Sequence, residues 1–310
     1  METLSPSFYE PETRWNFEVT EKRKRIWGRE LEILFEIDRV CKKHRLSYWL
    51  EGGSLLGAAR HKGFIPWDDD LDIGMPRSDY EKAREIMPKE LNYPFEWQDF
   101  YTIMNLCSED QVHPYRRIPF AKIRNRETTA LENYPMPSIV NQGIWIDIFP
   151  LDDAEDGQGF TGEMLKIERE VYASIYGGEE MKAFVLSPNY VSAIPKDDLV
   201  NIYKLPLVDR FRMYEQIIIS FDGVSTRISN KFHELVEGRY PLIKREWYSE
   251  TVEVDFEGFH FPAPSEYTKV VTAIFGENWM EPVITHIHGA VFDTEIPYTE
   301  YLKKPDLHIE

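Results

Sequence analysis

Apolar positions recur along this chain with two different periods, and the switches between them mark out its elements. From residue 20 to about 45, Trp27, Leu31, Leu34, Ile37 and Cys41 return at helical spacing while Lys and Arg fill the other face, which predicts a long packing helix. The basic cluster at 22–25 reads as the solvated side of that helix. A second helix is expected from about 79 to 91, because Ser78 and Glu81 have the spacing of a capping box, and its start just past the acidic strand would orient Arg77 toward the candidate site on that strand. Helical patterns return over 163–176 and 208–235, with a Pro-punctuated segment between them.

Period-two patterning falls elsewhere. Residues 95–106 and 117–131 read as strands from their aromatic and β-branched content. Near the C-terminus, Val252, Val254 and Phe256 alternate with Glu253, Asp255 and Glu257 before Gly258, Phe259 and Phe261, which predicts a hairpin over 247–261 and then a helix through Phe275. In Asp70-Leu71-Asp72-Ile73 carboxylates alternate with aliphatic side chains, so both acids leave one face while Leu71 and Ile73 enter the core; Asp68 falls in the same phase. Residues 1–17 form an irregular lead-in, and the acid- and glycine-rich stretch 155–162 marks a boundary. The expected organisation is a lead-in and packing helix over 1–44, a catalytic core over 45–153, and a mainly helical region with the hairpin over 154–310.

Composition narrows the classes. With 310 residues, 42% hydrophobic and 14% aromatic, the chain has material for a sizeable ordered core. Cys41 and Cys107, the two cysteines, exclude a disulfide scaffold and a four-cysteine zinc site. A formal charge of −18 argues against nucleic acid as a partner, and it means that an anionic substrate must be met by local positive charge or by a metal ion. No run approaches the roughly 18 apolar residues of a membrane span, so cytoplasmic residence is expected, with at most peripheral contact at the inner face of a membrane. No G-x-S-x-G, CxxC, H-E-x-x-H or P-loop occurs, which removes the commonest hydrolase, redox, zincin and NTPase readings.

Four stretches carry candidate chemistry. Like charges on one strand face repel unless neutralised, and the hard oxygens of Asp70, Asp72 and Asp68 suit Mg²⁺ or Mn²⁺. Gly52-Gly53-Ser54 follows the apolar and aromatic run 47–50 and leads into 55–60, a short helix expected to be capped by Ser54, so its open backbone N–H groups suit a phosphate; Arg60 lies in the cationic end of that segment and is expected on the same phosphate. Between 111 and 126 five cations and no acid occur, and Lys122 and Arg124 share a strand face from which they would neutralise donor phosphate. Asp147 is enclosed by bulky apolar neighbours in Ile144-Trp145-Ile146-Asp147-Ile148-Phe149, a position that requires a cation or metal. Asp152 and Asp153 read as loop acids. His260 reads as a structural histidine, and His286 and His288 as a surface or structural H-x-H pair.

Gly53-Ser54 followed by Asp70-Leu71-Asp72-Ile73 resembles the signature of the nucleotidyltransferase-like superfold, with a somewhat longer spacer. GGSLLGAARHKGFIPWDDDLDIGMPRSDYE, within the stretch from Tyr48 to about Tyr80, is similar to the LicD family of phosphotransferases, to which fukutin-related proteins are similar; FEGFHFPAPSEYTKVVTAIFG resembles the C-terminal segments of that family more loosely. The resemblance implies an α/β (α+β mixed sheet) nucleotidyltransferase-like core, with appended helices closing the substrate cleft. It also implies Asp147 as a third carboxylate beside Asp70 and Asp72, the three being catalytic and holding Mg²⁺ or Mn²⁺, with Asp68 as an outer ligand. The implied donor is a CDP-alcohol, CDP-choline first. The implied acceptor is a cell-surface glycan, such as lipopolysaccharide, or a teichoic acid precursor, and CMP is released. Two alternatives stay open: transfer of the nucleotidyl group itself to a small hydroxyl substrate, and an inactive glycan-binding or scaffold protein with a relic site. Alanine at Asp70, Asp72 or Asp147 is expected to abolish transfer and leave folding largely intact.

Overall fold

The computed structural model describes residues 3–134, 136–154, 159–223, 225–231, 243–284 and 289–304. A short hairpin, β1 (Glu12–Arg14) and β2 (Phe17–Val19), leads into α1 (Glu21–His44). Thr20 caps α1 by accepting the Arg23 N–H, and Arg45 ends it in the left-handed region, so the helix coincides with the apolar period that predicts it. Next come β3 (Trp49–Leu50), α2 (Gly52–His61), β4 (Asp72–Pro76) and α3 (Arg77–Glu90). Helix α3 begins earlier than expected: Pro76 is its N-cap, and Glu81 binds Arg77 and Arg84 instead of closing a box with Ser78.

Segment 95–106, expected as one strand, is β5 (Phe95–Gln98) followed by α4 (Phe100–Leu106). The cause is local: Asp99 accepts the Thr102 N–H at 2.8 Å while the Thr102 hydroxyl accepts the Asp99 N–H at 2.7 Å, a reciprocal cap that starts a helix despite the aromatic content. Segment 117–131 divides into β6 (Ala121–Asn125) and β7 (Thr129–Leu131). β8 (Trp145–Ala154) runs past Pro150 and takes in Asp152 and Asp153, which are strand residues and not loop acids. Helices α5 (Gly159–Tyr176), α6 (Gly178–Val185), α7 (Lys196–Lys204) and α8 (Leu207–Ile219) follow. The chain then returns to the sheet as β9 (Arg227–Asn230), where a continuing helix is expected. The predicted hairpin is β10 (Thr251–Phe256) and β11 (Phe259–Pro264), and α9 (Tyr267–Phe275) follows it. β12 (Val291–Asp293) pairs with β7 before α10 (Tyr298–Tyr301). His286 and His288 lie outside the described residues.

The central sheet is six-stranded and mixed, in the order β3-β4-β8-β6-β5, with β9 pairing the distal end of β8. β4 and β8 are parallel, and the neighbouring pairs are antiparallel. Ile73, Met75, Ile123, Ile146 and Ile148 form one core with apolar side chains of α1 and α3. The C-terminal hairpin and α9 join that core through Val254, Phe256, Phe261, Val270 and Val271, and Phe259 meets Phe35 of α1 edge-on at 4.8 Å. Helices α5 to α8 have a core of their own, continued by Phe100, which stacks on Phe211 at 3.9 Å. The architecture is that of an α/β protein with a mixed sheet, as a nucleotidyltransferase-like fold requires.

Candidate active site

Asp72 opens β4 and faces Asp147 of β8 directly in the parallel register, and Asp147 in turn faces Lys122 of β6. Register partners share a sheet face, so Asp72, Asp147 and Lys122 form one row across three strands, with Arg124 on the same face. Three residues distant in sequence therefore meet because their strands are neighbours. Lys122 Nζ lies 2.7 Å from Asp147 Oδ1 and 3.6 Å from Glu132 Oε1, and sits 4.3 Å above the Trp145 ring.

Above Asp72 lies the start of α2. The helix begins at Gly52 with Glu51 as N-cap, so Ser54 is not its cap; the Ser54 hydroxyl accepts the Asp72 N–H at 2.8 Å. Gly52 has φ +51, and a Cβ there would come within 3.3 Å of Asp72 Oδ2; at Gly53 it would come within 3.1 Å of Asp68 Oδ2. The two glycines thus let carboxylates approach the helix N-terminus, whose first amides have no intrahelical partners and favour negative charge. Gly53 and Ser54 border Asp68 and Asp72, and the surface suited to an anion is continuous with the acids. The acidic turn is tied to α1, because the Asp68 carbonyl accepts from Arg23 Nη1 at 2.6 Å and Trp27 Nε1 at 3.0 Å.

Burial pushes the Asp72 carboxyl well above the usual carboxylate range, and Asp70, Asp147 and Asp68 push it further while Lys122 opposes them. Burial also raises Asp147, against the pull of Lys122. Hard carboxylate oxygens that repel one another are the donor type a divalent cation takes. Among the described residues no three His, Cys, Asp or Glu side chains already converge on a single ion position, and Lys122 supplies the positive charge at Asp147.

Other expectations change with burial. Arg124, expected on donor phosphate, is completely buried and spends its guanidinium on Gln98 Oε1 at 2.9 Å, the Gly143 carbonyl at 2.8 Å and Glu132. Arg60 stands at the far end of α2 and donates to the Trp279 carbonyl at 2.6 Å, pointing into the C-terminal segment and away from the acids. Arg77 faces away too: it is buried in a bidentate pair with Asp152, both contacts at 2.6 Å. It borders a cavity of about 840 Å³ with Trp49, Asp153, Arg245 and Tyr248. His260 is exposed and 3.1 Å from Asp255.

Three residues were not singled out by the sequence. Glu132 receives Arg116 at 2.5 Å together with Lys122 and Arg124; burial alone would raise its carboxyl, but the three cations hold it well below the usual range. The signal was the acid-free basic stretch, which needed a counter-charge just beyond its end. Glu30 and Glu51 are both buried carboxyls, on α1 and at the N-cap of α2. The Tyr248 hydroxyl donates to Glu51 at 3.2 Å, and burial pushes the Glu51 carboxyl up to about 7.

That rise has a direct consequence for stability. An unfolded glutamate ionises near its ordinary value of 4.5, whereas folded Glu51 keeps its proton to about 7, so over this window the folded state binds more protons and stability falls with rising pH. Glu51→Gln removes this slope: relative to wild type it should gain about 3 kcal/mol between pH 4.5 and 8. Denaturant melts of both proteins at several pH values measure the difference, and a constant offset across the window would count against a protonated Glu51.

Residues 45–147 match the family described as LicD/FKTN/FKRP, nucleotidyltransferase domain. The lipopolysaccharide cholinephosphotransferase LicD of Haemophilus influenzae is 47% identical over 60 residues, 19% of this chain and 23% of that protein. The human ribitol 5-phosphate transferase FKRP is 30% identical over 108 residues, 35% of this chain and 21% of that protein. An uncharacterized Rickettsia prowazekii protein is 38% identical over 94 residues, 28% of this chain and 34% of that one. The matched region thus spans about a third or less of each relative's length. It ends at the residue that faces Asp72 across the sheet, so the segment of this chain that is similar to the LicD/FKTN/FKRP nucleotidyltransferase domain encloses the whole row of acids.

Proposed function

We propose that this chain is a phosphotransferase that moves an alcohol phosphate, phosphocholine in the first instance, from a CDP-alcohol to a hydroxyl of a glycan or teichoic acid precursor. The observation that carries the reading is the juxtaposition of Asp72 and Asp147 beneath a helix N-terminus built from glycines. Asp70, Asp72 and Asp147 would hold Mg²⁺ or Mn²⁺, with Asp68 as an outer ligand; the ion, when bound, spreads the charge that develops on the transferred phosphoryl group. Gly53 and Ser54 hold donor phosphate through the open first turn of α2. Lys122, already poised between Asp147 and Glu132, adds a movable positive charge on the same face.

In the transfer, the acceptor oxygen bonds to the alcohol-bearing phosphorus, the bridging bond to CMP breaks, and CMP leaves with the electron pair. The acceptor proton goes to a carboxylate. Asp147, whose affinity for a proton burial increases, is the group we assign to it. The support for this choice of chemistry is the similarity to two transferases of phosphate-bearing alcohols, one named for choline phosphate and one for ribitol 5-phosphate. The test is incubation of the full chain with a panel of CDP-alcohols, Mg²⁺ and cell-surface glycan acceptors, with the label placed either on the alcohol or on the cytidine. Release of CMP with the alcohol label on the acceptor is the expected result. Cytidine label on the acceptor would show nucleotidyl transfer instead, and no release from any donor would leave the relic-site reading standing.

A further inference from the structure

Among the buried carboxyls outside the row of acids, Glu30 has no structural task that its surroundings explain. It is 1% exposed on α1, and whereas the other buried charges of that helix are paired, Lys24 with Glu12 and Glu36 with Arg39, its Oε2 oxygen meets no hydrogen-bond donor. A buried, unsatisfied carboxyl oxygen costs stability that an apolar residue at the same place would not. Its direction is set by the helix. Residues 23, 27 and 30 recur at the spacing of one helical stripe, and Arg23 and Trp27 of that stripe both donate to the Asp68 carbonyl. Glu30 therefore looks onto the same acidic turn. Burial pushes its carboxyl well above the usual range, and the charges that add to this are Asp70, Asp69, Asp68 and Asp72, in falling order. A buried carboxylate oxygen that finds no donor and looks onto further carboxylates is one that a bound cation would satisfy.

We propose that Glu30 is an outer carboxylate of the divalent-cation centre, reaching it from α1 behind Asp70, so that the centre is built from the packing helix as well as from the sheet. The proposal rests on the reading of Asp70, Asp72 and Asp147 as a cation site. It makes the Arg23 and Trp27 contacts part of the same device, since they fix the turn at the distance from α1 that Glu30 requires. Partners of this outer kind change metal affinity by about 10- to 100-fold when removed.

The experiment is titration of the full chain with Mn²⁺ alone, followed by electron paramagnetic resonance of the free ion, alongside melting curves with and without Mn²⁺. Glu30→Gln should weaken Mn²⁺ binding about tenfold, raise the melting temperature of the ion-free protein and shrink the rise that Mn²⁺ produces. Asp72→Asn should weaken binding more, and Glu85→Gln, which removes one exposed charge on α3, should change neither readout. Glu30→Met fills the same volume without a polar atom and repeats the comparison if the amide disturbs packing. Wild-type affinity in both Glu30 variants, with binding lost in Asp72→Asn, would overturn the role of Glu30 alone. Absence of Mn²⁺ binding by the wild type would overturn the cation reading and this proposal with it.

Discussion

Asp72→Asn is expected to lower transfer by roughly a thousandfold or more, about 4 kcal/mol of transition-state stabilisation, while leaving the protein at least as stable as before. The two halves of this result have one cause. Asp72 is half-buried at the head of β4 among Asp70, Asp147 and Asp68, so its negative charge is a cost to the fold and an asset only when a positive centre is present. Removing the charge relieves the cost and destroys the asset. The backbone role of the residue survives, because its N–H to Ser54 and its place opposite Asp147 do not depend on the side chain. Rates of CMP release and a thermal melt on the same preparation check both halves. Activity within tenfold of wild type would remove Asp72 from the chemistry, and a sharp loss of stability would make it a structural residue.

The expectation that all three alanine variants fold alike does not extend to Asp147. Its Oδ1 is the nearest anion to Lys122, which is buried and would keep only Glu132 at 3.6 Å. Loss of Asp147 therefore strands part of a cation, and some destabilisation accompanies the loss of activity.

What was readable in the chain and what was not divides along a physical line. The alternation of Asp70, Leu71, Asp72 and Ile73 and the apolar jacket around Asp147 reveal which residues turn to which side, since that depends only on the period of a strand. That Asp147 faces Asp72 and not some other residue is a matter of register between strands about 75 positions apart, and only the resemblance pointed to it. Burial was the other blind spot. Arg124, Arg77, Glu30 and Glu51 all look like ordinary surface charges in the sequence, because the apolar period of an element says nothing about a polar position that a second element later covers. The α4 segment shows the reverse case: the cap formed by Asp99 and Thr102 was present in the sequence and outweighed the aromatic residues on which the strand reading relied.

Asp152→Ala should destabilise the fold by about 3–5 kcal/mol, the usual cost of leaving one member of a buried ion pair without its partner. Arg77 Nε and Nη2 each lie 2.6 Å from an Asp152 oxygen, and both side chains are almost entirely shielded from water. Burial alone would lower the affinity of Arg77 for its proton, yet Asp152 outweighs it and the affinity rises, which is the mark of a tightly matched pair. Glu81 at 3.0 Å from Nη1 is partly exposed and cannot replace two in-plane contacts, so the loss is softened but not cancelled. The pair sits where β4 passes into α3 and β8 nears its end, about 16 Å along the strands from Asp72 by the rise per residue. Its loss should therefore lower the melting temperature by roughly 10 °C while kcat and KM of the folded fraction stay near wild type. Replacing both partners together, Arg77→Met with Asp152→Leu, should recover most of the stability, because no charge is then left buried. A fall in kcat at unchanged melting temperature would instead place Arg77 in the transfer chemistry, and the helix start that turns it toward Asp152 would have to be one of two positions it occupies.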